Sequence, residues 1–144
     1  MGNTLETKVK LINDQIKFEA TAGNNPPIIT DYIPPFGNLE GYMPLEVFLI
    51  SLSACLGGSI AILIRKMGFI IDALSINSTG QRREAHPTYF DKITIKINLK
   101  SPNAAAADLQ KALKLSEEQF CPIIAMINNK VEITYDCILM KDNP

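Results

Sequence analysis

The chain has 144 residues, 47% of them hydrophobic, with a formal net charge of -1 at pH 7. This length and apolar content suit one domain with an ordinary core, and we predict a single domain over residues 1–144. The balanced charge excludes a large basic surface, so neither nucleic acid nor an anionic membrane is expected as a partner. Residues 1–6 lack the apolar run of a signal peptide, which predicts a cytoplasmic protein.

The cysteine and histidine content argues against a disulfide scaffold and against a metal site. Cys55, Cys121 and Cys137 are widely spaced and form no Cys-x-x-Cys pair. In a reducing compartment such thiols are not structural disulfides. The single histidine, His86, is far in sequence from every cysteine and reads as a surface loop residue. We therefore expect neither a metal nor another cofactor.

The N-terminal region reads as short strands. Residues 7–22 alternate between apolar and polar side chains on both sides of Asn13 and Asp14, which predicts a β-hairpin. Two asparagines and two prolines follow, and residues 28–33 then form a third short strand. A loop containing proline and glycine leads to residue 44.

The longest apolar stretch, residues 44–68, predicts a helix that is apolar nearly all round. Pro44 suits the first turn, and Gly68 suits a left-handed C-terminal cap. The uncharged segment 47–64 is long enough for a membrane span, but its serines and glycines favour a helix buried in a protein core. Because one chain of this size hardly covers such a helix on every side, we expect a partner chain.

Small residues share one side of this helix, at Ser51, Ala54, Cys55, Gly58 and Ser59. Another backbone can approach closely along such a face. Gly57 and Gly58 in mid-helix each cost roughly 1 kcal/mol relative to alanine, and close packing is the usual reason to tolerate that cost.

The C-terminal half alternates strands and helices. Residues 70–78 and 89–100 read as strands, joined by an exposed polar connection over residues 80–88. The second strand places four aliphatic side chains on one buried face: Ile93, Ile95, Ile97 and Leu99. An amphipathic helix over residues 103–120 follows, capped by Ser101 and Pro102.

The two remaining cysteines, Cys121 and Cys137, lie in different structural settings in the C-terminal part of the chain. Pro122 begins a short helix, so Cys121 lies at the positive end of that helix, where a thiolate is stabilised. Residues 130–141 form the last strand, whose apolar face contains Cys137. Cys137 is therefore expected to be a small core residue.

Three segments together resemble the OsmC/Ohr family of osmotically inducible and organic hydroperoxide resistance proteins. Residues 43–55 resemble its P-x-E-L-L-x-A-S-L-x-A-C segment, and residues 84–93 resemble its His-Pro stretch before a strand. Residues 113–127 resemble its A-x-x-x-S-E-x-x-C-P-V-S-x-M segment. The motifs follow in the family's order, so the chain is identified as a member over residues 16–138.

The resemblance implies an α+β fold in which two chains intertwine, with long central helices packed between antiparallel sheets. It also implies that Cys55 attacks a peroxide as the thiolate and becomes a sulfenic acid, which Cys121 converts to an intramolecular disulfide. A dithiol reductant, such as a lipoyl group, would then restore both thiols. The implied partners are thus a second copy, an organic hydroperoxide and this dithiol.

Two positions depart from the family pattern. No arginine precedes Arg65, so Lys17 is the nearest substitute for the family's hairpin arginine, and it lacks the planar guanidinium. Glu46 matches the family's glutamate, but a straight helix places it about 180° around the axis from Cys55. It would reach a thiol only across the dimer or after a helix distortion. An ordinary surface lysine and a helix-start carboxylate are the alternative interpretations.

Two functions therefore compete. The first is a thiol peroxidase for organic hydroperoxides, with Cys55, Cys121, Glu46 and Lys17 as site residues. The alternative is a catalytically weak dimer of the same fold that binds a small hydrophobic ligand or acts as a redox sensor.

Overall fold

The computed structural model describes residues 3–141, whose backbone divides into two units, one ending at Phe48 and one starting at Leu49. The elements are β1 Lys8–Leu11, β2 Phe18–Thr21, β3 Ile28–Thr30, α1 Pro44–Lys66, β4 Ala73–Arg82, β5 Phe90–Lys100, α2 Ala106–Leu115, α3 Pro122–Ile127 and β6 Glu132–Met140. A π-helical turn, Ser116–Phe120, follows α2 directly. This mixture of helices and sheets confirms the α+β class. The single domain stays a prediction.

The first unit is an antiparallel sheet in the order β1-β2-β3. The predicted turn is present, because the side-chain oxygen of Asn13 accepts the backbone N–H groups of Gln15 and Lys17, each at 3.0 Å. These bonds replace the missing ladder bonds and close the hairpin. The third strand is shorter than predicted and ends at Thr30.

Asp31 organises the loop after β3. Its carboxylate is 1% exposed and accepts the backbone N–H groups of Tyr32 at 2.8 Å, Asn38 at 3.2 Å and Glu40 at 3.0 Å. The bond from Glu40 is the main cause of a lowered pKa for Asp31, with Tyr32 and Asn38 adding to it against the opposing effect of burial. The carboxylate therefore holds the loop through its charged form.

We expect Asp31→Ala to lower the unfolding midpoint in urea, because three backbone donors lose their acceptor. The folded pKa lies below the unfolded value of about 3.9. The charged form therefore stabilises the fold above that pH, and the stabilisation is lost as the pH falls through the lowered folded pKa. Urea titrations at neutral pH and near about pH 3 should show the difference between wild type and variant shrinking in acid. The exposed Asp14 provides the control, Asp14→Ala, for which an equal loss would contradict the assignment.

The second unit has a mixed sheet in the order β4-β5-β6. β4 and β5 pair antiparallel as expected, but β5 and β6 pair in parallel, because the chain returns through α2 and α3 before β6 begins. The predicted buried face of β5 is confirmed, since its four aliphatic side chains are fully buried. β4 also continues to Arg82, so part of the predicted exposed connection belongs to the strand.

Helix α1 matches its predicted limits, and Gly68 ends it with a positive φ of 89°. One side of α1 carries fully buried residues at four-residue spacing: Leu52, Leu56, Ile60 and Ile64. Ser53 donates a 2.8 Å hydrogen bond to the hydroxyl of Ser78 on β4. A Cβ on Gly57 would lie 3.0 Å from Ile76, which explains this glycine by close packing on the sheet.

The opposite side of α1 is exposed, which agrees with the expectation that one chain of this size does not cover the helix on every side. Ile50 is 51% exposed and Ile62 is 57% exposed. Ala54 and Gly58 lie between them and are exposed too, and a Cβ on Gly58 would meet no atom within 4 Å. By length and composition α1 could span a membrane, a test that core helices of soluble proteins also pass.

Helix α2 is shorter than the predicted helix over residues 103–120. The hydroxyl of Ser101 accepts the N–H of Ala104 at 3.0 Å, and Asp108 accepts the N–H of Ala105 at 2.8 Å, so α2 starts later than expected. The last predicted turn is the π-helical turn instead. It closes where the N–H of Cys121 donates to the carbonyl of Ser116 at 2.8 Å.

Candidate active site

The structure brings two of the predicted site residues together. The sulfur atoms of Cys55 and Cys121 lie 3.3 Å apart, although the residues are 66 positions apart in sequence. Both thiols are free. A disulfide bond is about 2.05 Å long, so small movements of the two side chains would allow the bond to form.

Cys55 lies in the middle of α1 and is half-buried. The flanking residues Leu52 and Leu56 are fully buried, so the packing of α1 fixes the backbone on both sides of the thiol. The hydroxyl of Ser59 donates to the carbonyl of Cys55 at 3.2 Å, within the helix. The thiol is thus carried by a rigid element while keeping access to solvent.

Cys121 is only 2% exposed and has an extended backbone directly before α3. Burial raises the pKa of the Cys121 thiol, and the neighbouring Cys55 adds to this effect. The backbone N–H groups of Ile124 and Ile123 at the start of α3 act in the opposite direction. The position of Cys121 at a helix end predicted a lowered pKa for its thiol, and this prediction is wrong. Desolvation raises the pKa by more than the amides at the start of α3 lower it.

Lys17 and Glu46 have local partners. The amine of Lys17 lies 3.6 Å from the carboxylate of Glu40, and the Lys17 side chain is 24% exposed. Glu46 is exposed and accepts the N–H of Met43 at 2.8 Å, which makes it an N-terminal cap of α1. Both belong to the unit that ends at Phe48, whereas the two thiols belong to the unit that follows. Their roles toward the thiols stay predictions.

The remaining sequence candidates lie outside the thiol pair. Cys137 is half-buried on β6, opposite Ile97 of β5, and burial raises its pKa, with the charge of Asp136 adding to the effect. His86 is exposed, as expected. Within residues 3–141, no group of three or more His, Cys, Asp or Glu side chains could hold a metal ion.

Two hydroxyl groups near Cys121 were not predicted from the sequence as site residues. The side-chain oxygens of Ser116 and Tyr135 are buried and have no hydrogen-bond partner among the described residues. Burial raises the pKa of Tyr135, and the charge of Glu117 and of Cys121 in its thiolate form raises it further. Ser116 falls within the helix predicted over residues 103–120 and Tyr135 within the strand predicted over residues 130–141, and neither pattern signals an unpaired hydroxyl.

Comparison with known proteins agrees with this architecture. Residues 37–136 match the family described as OsmC-like protein. Protein YhfA of Escherichia coli K12 is 24% identical over 92 residues, covering 64% of this chain and 69% of YhfA. A hypothetical protein from Aquifex aeolicus has a TM-score of 0.87 and 22% identity, covering 99% of this chain and 100% of that one. An organic hydroperoxide resistance protein from Elizabethkingia anophelis has a TM-score of 0.74 and 11% identity, covering 96% of this chain and 98% of that one.

Proposed function

The chain belongs to the OsmC-like protein family, and we propose that it is a cysteine-based thiol peroxidase that reduces organic hydroperoxides. The observation that carries the proposal is the 3.3 Å separation between the sulfur atoms of Cys55 and Cys121. The similar fold of an organic hydroperoxide resistance protein supports the substrate class. A redox role for the family agrees with two free thiols in contact.

The two thiols are suited to different steps. Cys55 is half-buried and open to a peroxide, whereas Cys121 is almost fully buried and has a raised pKa. The Cys55 thiolate attacks the terminal peroxide oxygen, the O–O bond breaks, and the alkoxide leaves and takes up a proton as the alcohol. The Cys121 thiolate then attacks the Cys55 sulfenic acid, the S–S bond forms, and the displaced hydroxide takes up a proton to become water. A dithiol of the lipoyl type reduces the disulfide by exchange.

We also propose that the protein is a cytoplasmic homodimer. The exposed side of α1 carries Ile50 and Ile62, with the small residues Ala54 and Gly58 between them. A second copy of the same helix would bury this stripe, and the small residues would let the two backbones approach closely. Such pairing would agree with the intertwined arrangement that the family resemblance implies.

A catalytically weak binding protein or redox sensor is the second candidate. No arginine precedes Arg65, and Lys17 is already paired with Glu40. The first unit also contains an open groove of about 630 Å³, lined mainly by apolar residues around Ile28, Ile29 and Tyr42. This volume suits a small hydrophobic ligand. A wild-type protein that consumes cumene hydroperoxide no faster than a free thiol does would favour this candidate.

One equivalent of organic hydroperoxide is expected to form an intramolecular disulfide between Cys55 and Cys121 and to leave Cys137 reduced. The reason is proximity, since the first two sulfur atoms are already in contact and Cys137 is held on β6 with a raised pKa. Peptide mapping under non-reducing conditions, after blocking free thiols, measures the pairing. Recovery of Cys137 in the main disulfide would contradict the assignment.

A further inference from the structure

The hydroxyl of Tyr135 is buried on the last strand, β6. It has no hydrogen-bond partner among residues 3–141. Burying a hydroxyl without a partner costs free energy, because its hydrogen bonds to water are lost and not replaced. Phenylalanine would fill nearly the same space without this cost. The hydroxyl therefore needs an explanation other than packing.

The register of the sheet places Tyr135 on the side that faces α1. Ser78 of β4 lies opposite Ile95 of β5, and Ile95 lies opposite Tyr135 of β6. Directly opposed residues point to the same face of a sheet. At one end of this row, Ser78 accepts the hydrogen bond from Ser53, two residues before Cys55 on α1. Ile95 in the middle is fully buried. The side chain of Tyr135 therefore points to the face of the sheet on which α1, the helix that carries Cys55, packs.

The segment that carries Cys121 follows a helix that packs against β6, the strand of Tyr135. Helix α2 packs against β6, and the π-helical turn that follows α2 leads directly to Cys121. Ser116 in this turn is fully buried, its hydroxyl also lacks a partner among the described residues, and its carbonyl accepts the N–H of Cys121. Negative charge on Cys121 or Glu117 raises the pKa of Tyr135, which agrees with this placement. The phenol thus stays protonated at neutral pH and is available as a donor.

We propose that Tyr135 is a positioning residue that donates a hydrogen bond to the Cys121 thiolate as that thiolate attacks the Cys55 sulfenic acid. This role rests on the proposed function. In this step the S–S bond forms, the S–O bond breaks, and the leaving hydroxide takes up a proton to become water. Tyr135 keeps its own proton throughout. Burial penalises the Cys121 thiolate, and a neutral donor in the same apolar surroundings offsets that penalty when the charge develops.

The proposal can be tested without peroxide. In the Cys55→Ser background, the pH dependence of Cys121 alkylation by iodoacetamide reports the pKa of Cys121, with the alkylated peptide identified by mass. Adding Tyr135→Phe should move the midpoint up by about one pH unit, the amount expected for losing one hydrogen bond to a charged group. The backbone N–H groups of Ile123 and Ile124, which lower the pKa of Cys121, are left unchanged by the substitution. An unmoved midpoint would overturn the proposal.

Tyr89→Phe is the matched control, because it removes a hydroxyl that accepts a 2.9 Å hydrogen bond from Arg83 outside the thiol pair. It should leave the Cys121 midpoint unchanged and lower the melting temperature. Tyr135→Phe should leave the melting temperature equal or higher, since its hydroxyl loses no partner. A larger loss of stability for Tyr135→Phe than for Tyr89→Phe would show a structural role and overturn the proposal.

Kinetics in the otherwise wild-type protein give the second readout. With organic hydroperoxide, Tyr135→Phe should form the sulfenic acid at the wild-type rate and convert it to the disulfide about tenfold more slowly. Equal lifetimes of the sulfenic acid would count against the role of Tyr135. Should wild type form no sulfenic acid, the peroxidase function fails, whereas the alkylation experiment still decides whether Tyr135 stabilises the Cys121 thiolate.

Discussion

Cys55→Ser is expected to abolish organic hydroperoxide reduction, by a factor on the order of 10³ or more, because the attacking sulfur is removed. Cys121→Ser should still allow one oxidation event per chain, since the first oxygen transfer needs only Cys55. The sulfenic acid then persists, because no second thiol lies 3.3 Å away to displace its hydroxide. Stopped-flow oxidation with a sulfenic-acid trap follows this first event without any reductant.

Cys137→Ser is the control for this pair, because Cys137 is the third free thiol and lies on β6 opposite Ile97. It should retain full turnover. The opposite pattern, an inactive Cys121→Ser and a normal Cys55→Ser in a single turnover, would mean that the buried thiol attacks the peroxide. The greater exposure of Cys55 would then not identify the thiol that attacks the peroxide.

Gly58→Leu is expected to dissociate the proposed dimer, although the same change should increase the folding stability of a single chain. A Cβ at Gly58 meets no atom within 4 Å, and replacing a mid-helix glycine gains about 1 kcal/mol of helix propensity. Against a second copy of α1, the new side chain would instead prevent close approach of the two backbones. Sedimentation at micromolar concentration should therefore show a dimer for wild type and a monomer or aggregate for Gly58→Leu.

The exposed Lys111 on α2 offers a matched position, because Lys111→Leu adds the same side chain to a helix surface away from the α1 stripe. This variant should remain dimeric. A Gly58→Leu protein that stays folded with the wild-type mass and a higher melting temperature would show that the exposed stripe of α1 is not an interface.

Local patterns in the sequence determined most of the elements. The Asn13 turn, the limits of α1, the buried face of β5 and the start of α3 at Pro122 were all predicted correctly. Each depends on interactions within a few residues, such as a turn acceptor, a helix cap, a strand alternation or the fixed φ of proline. The order of the family motifs added the pairing of Cys55 with Cys121 as an implication rather than a derivation.

Tertiary structure decided what depends on residues that are distant in sequence. The parallel pairing of β5 with β6 follows from the return of the chain through α2 and α3, which no strand pattern encodes. The 3.3 Å contact joins residues 66 positions apart, and the pKa of Cys121 rises because the amides of α3 are outweighed by desolvation. The unpaired hydroxyl of Tyr135 likewise appears only once its neighbours are known. Burial and electrostatics sum over all surrounding elements, so a helix end or an alternating strand in the sequence gives one contribution to them and not the total.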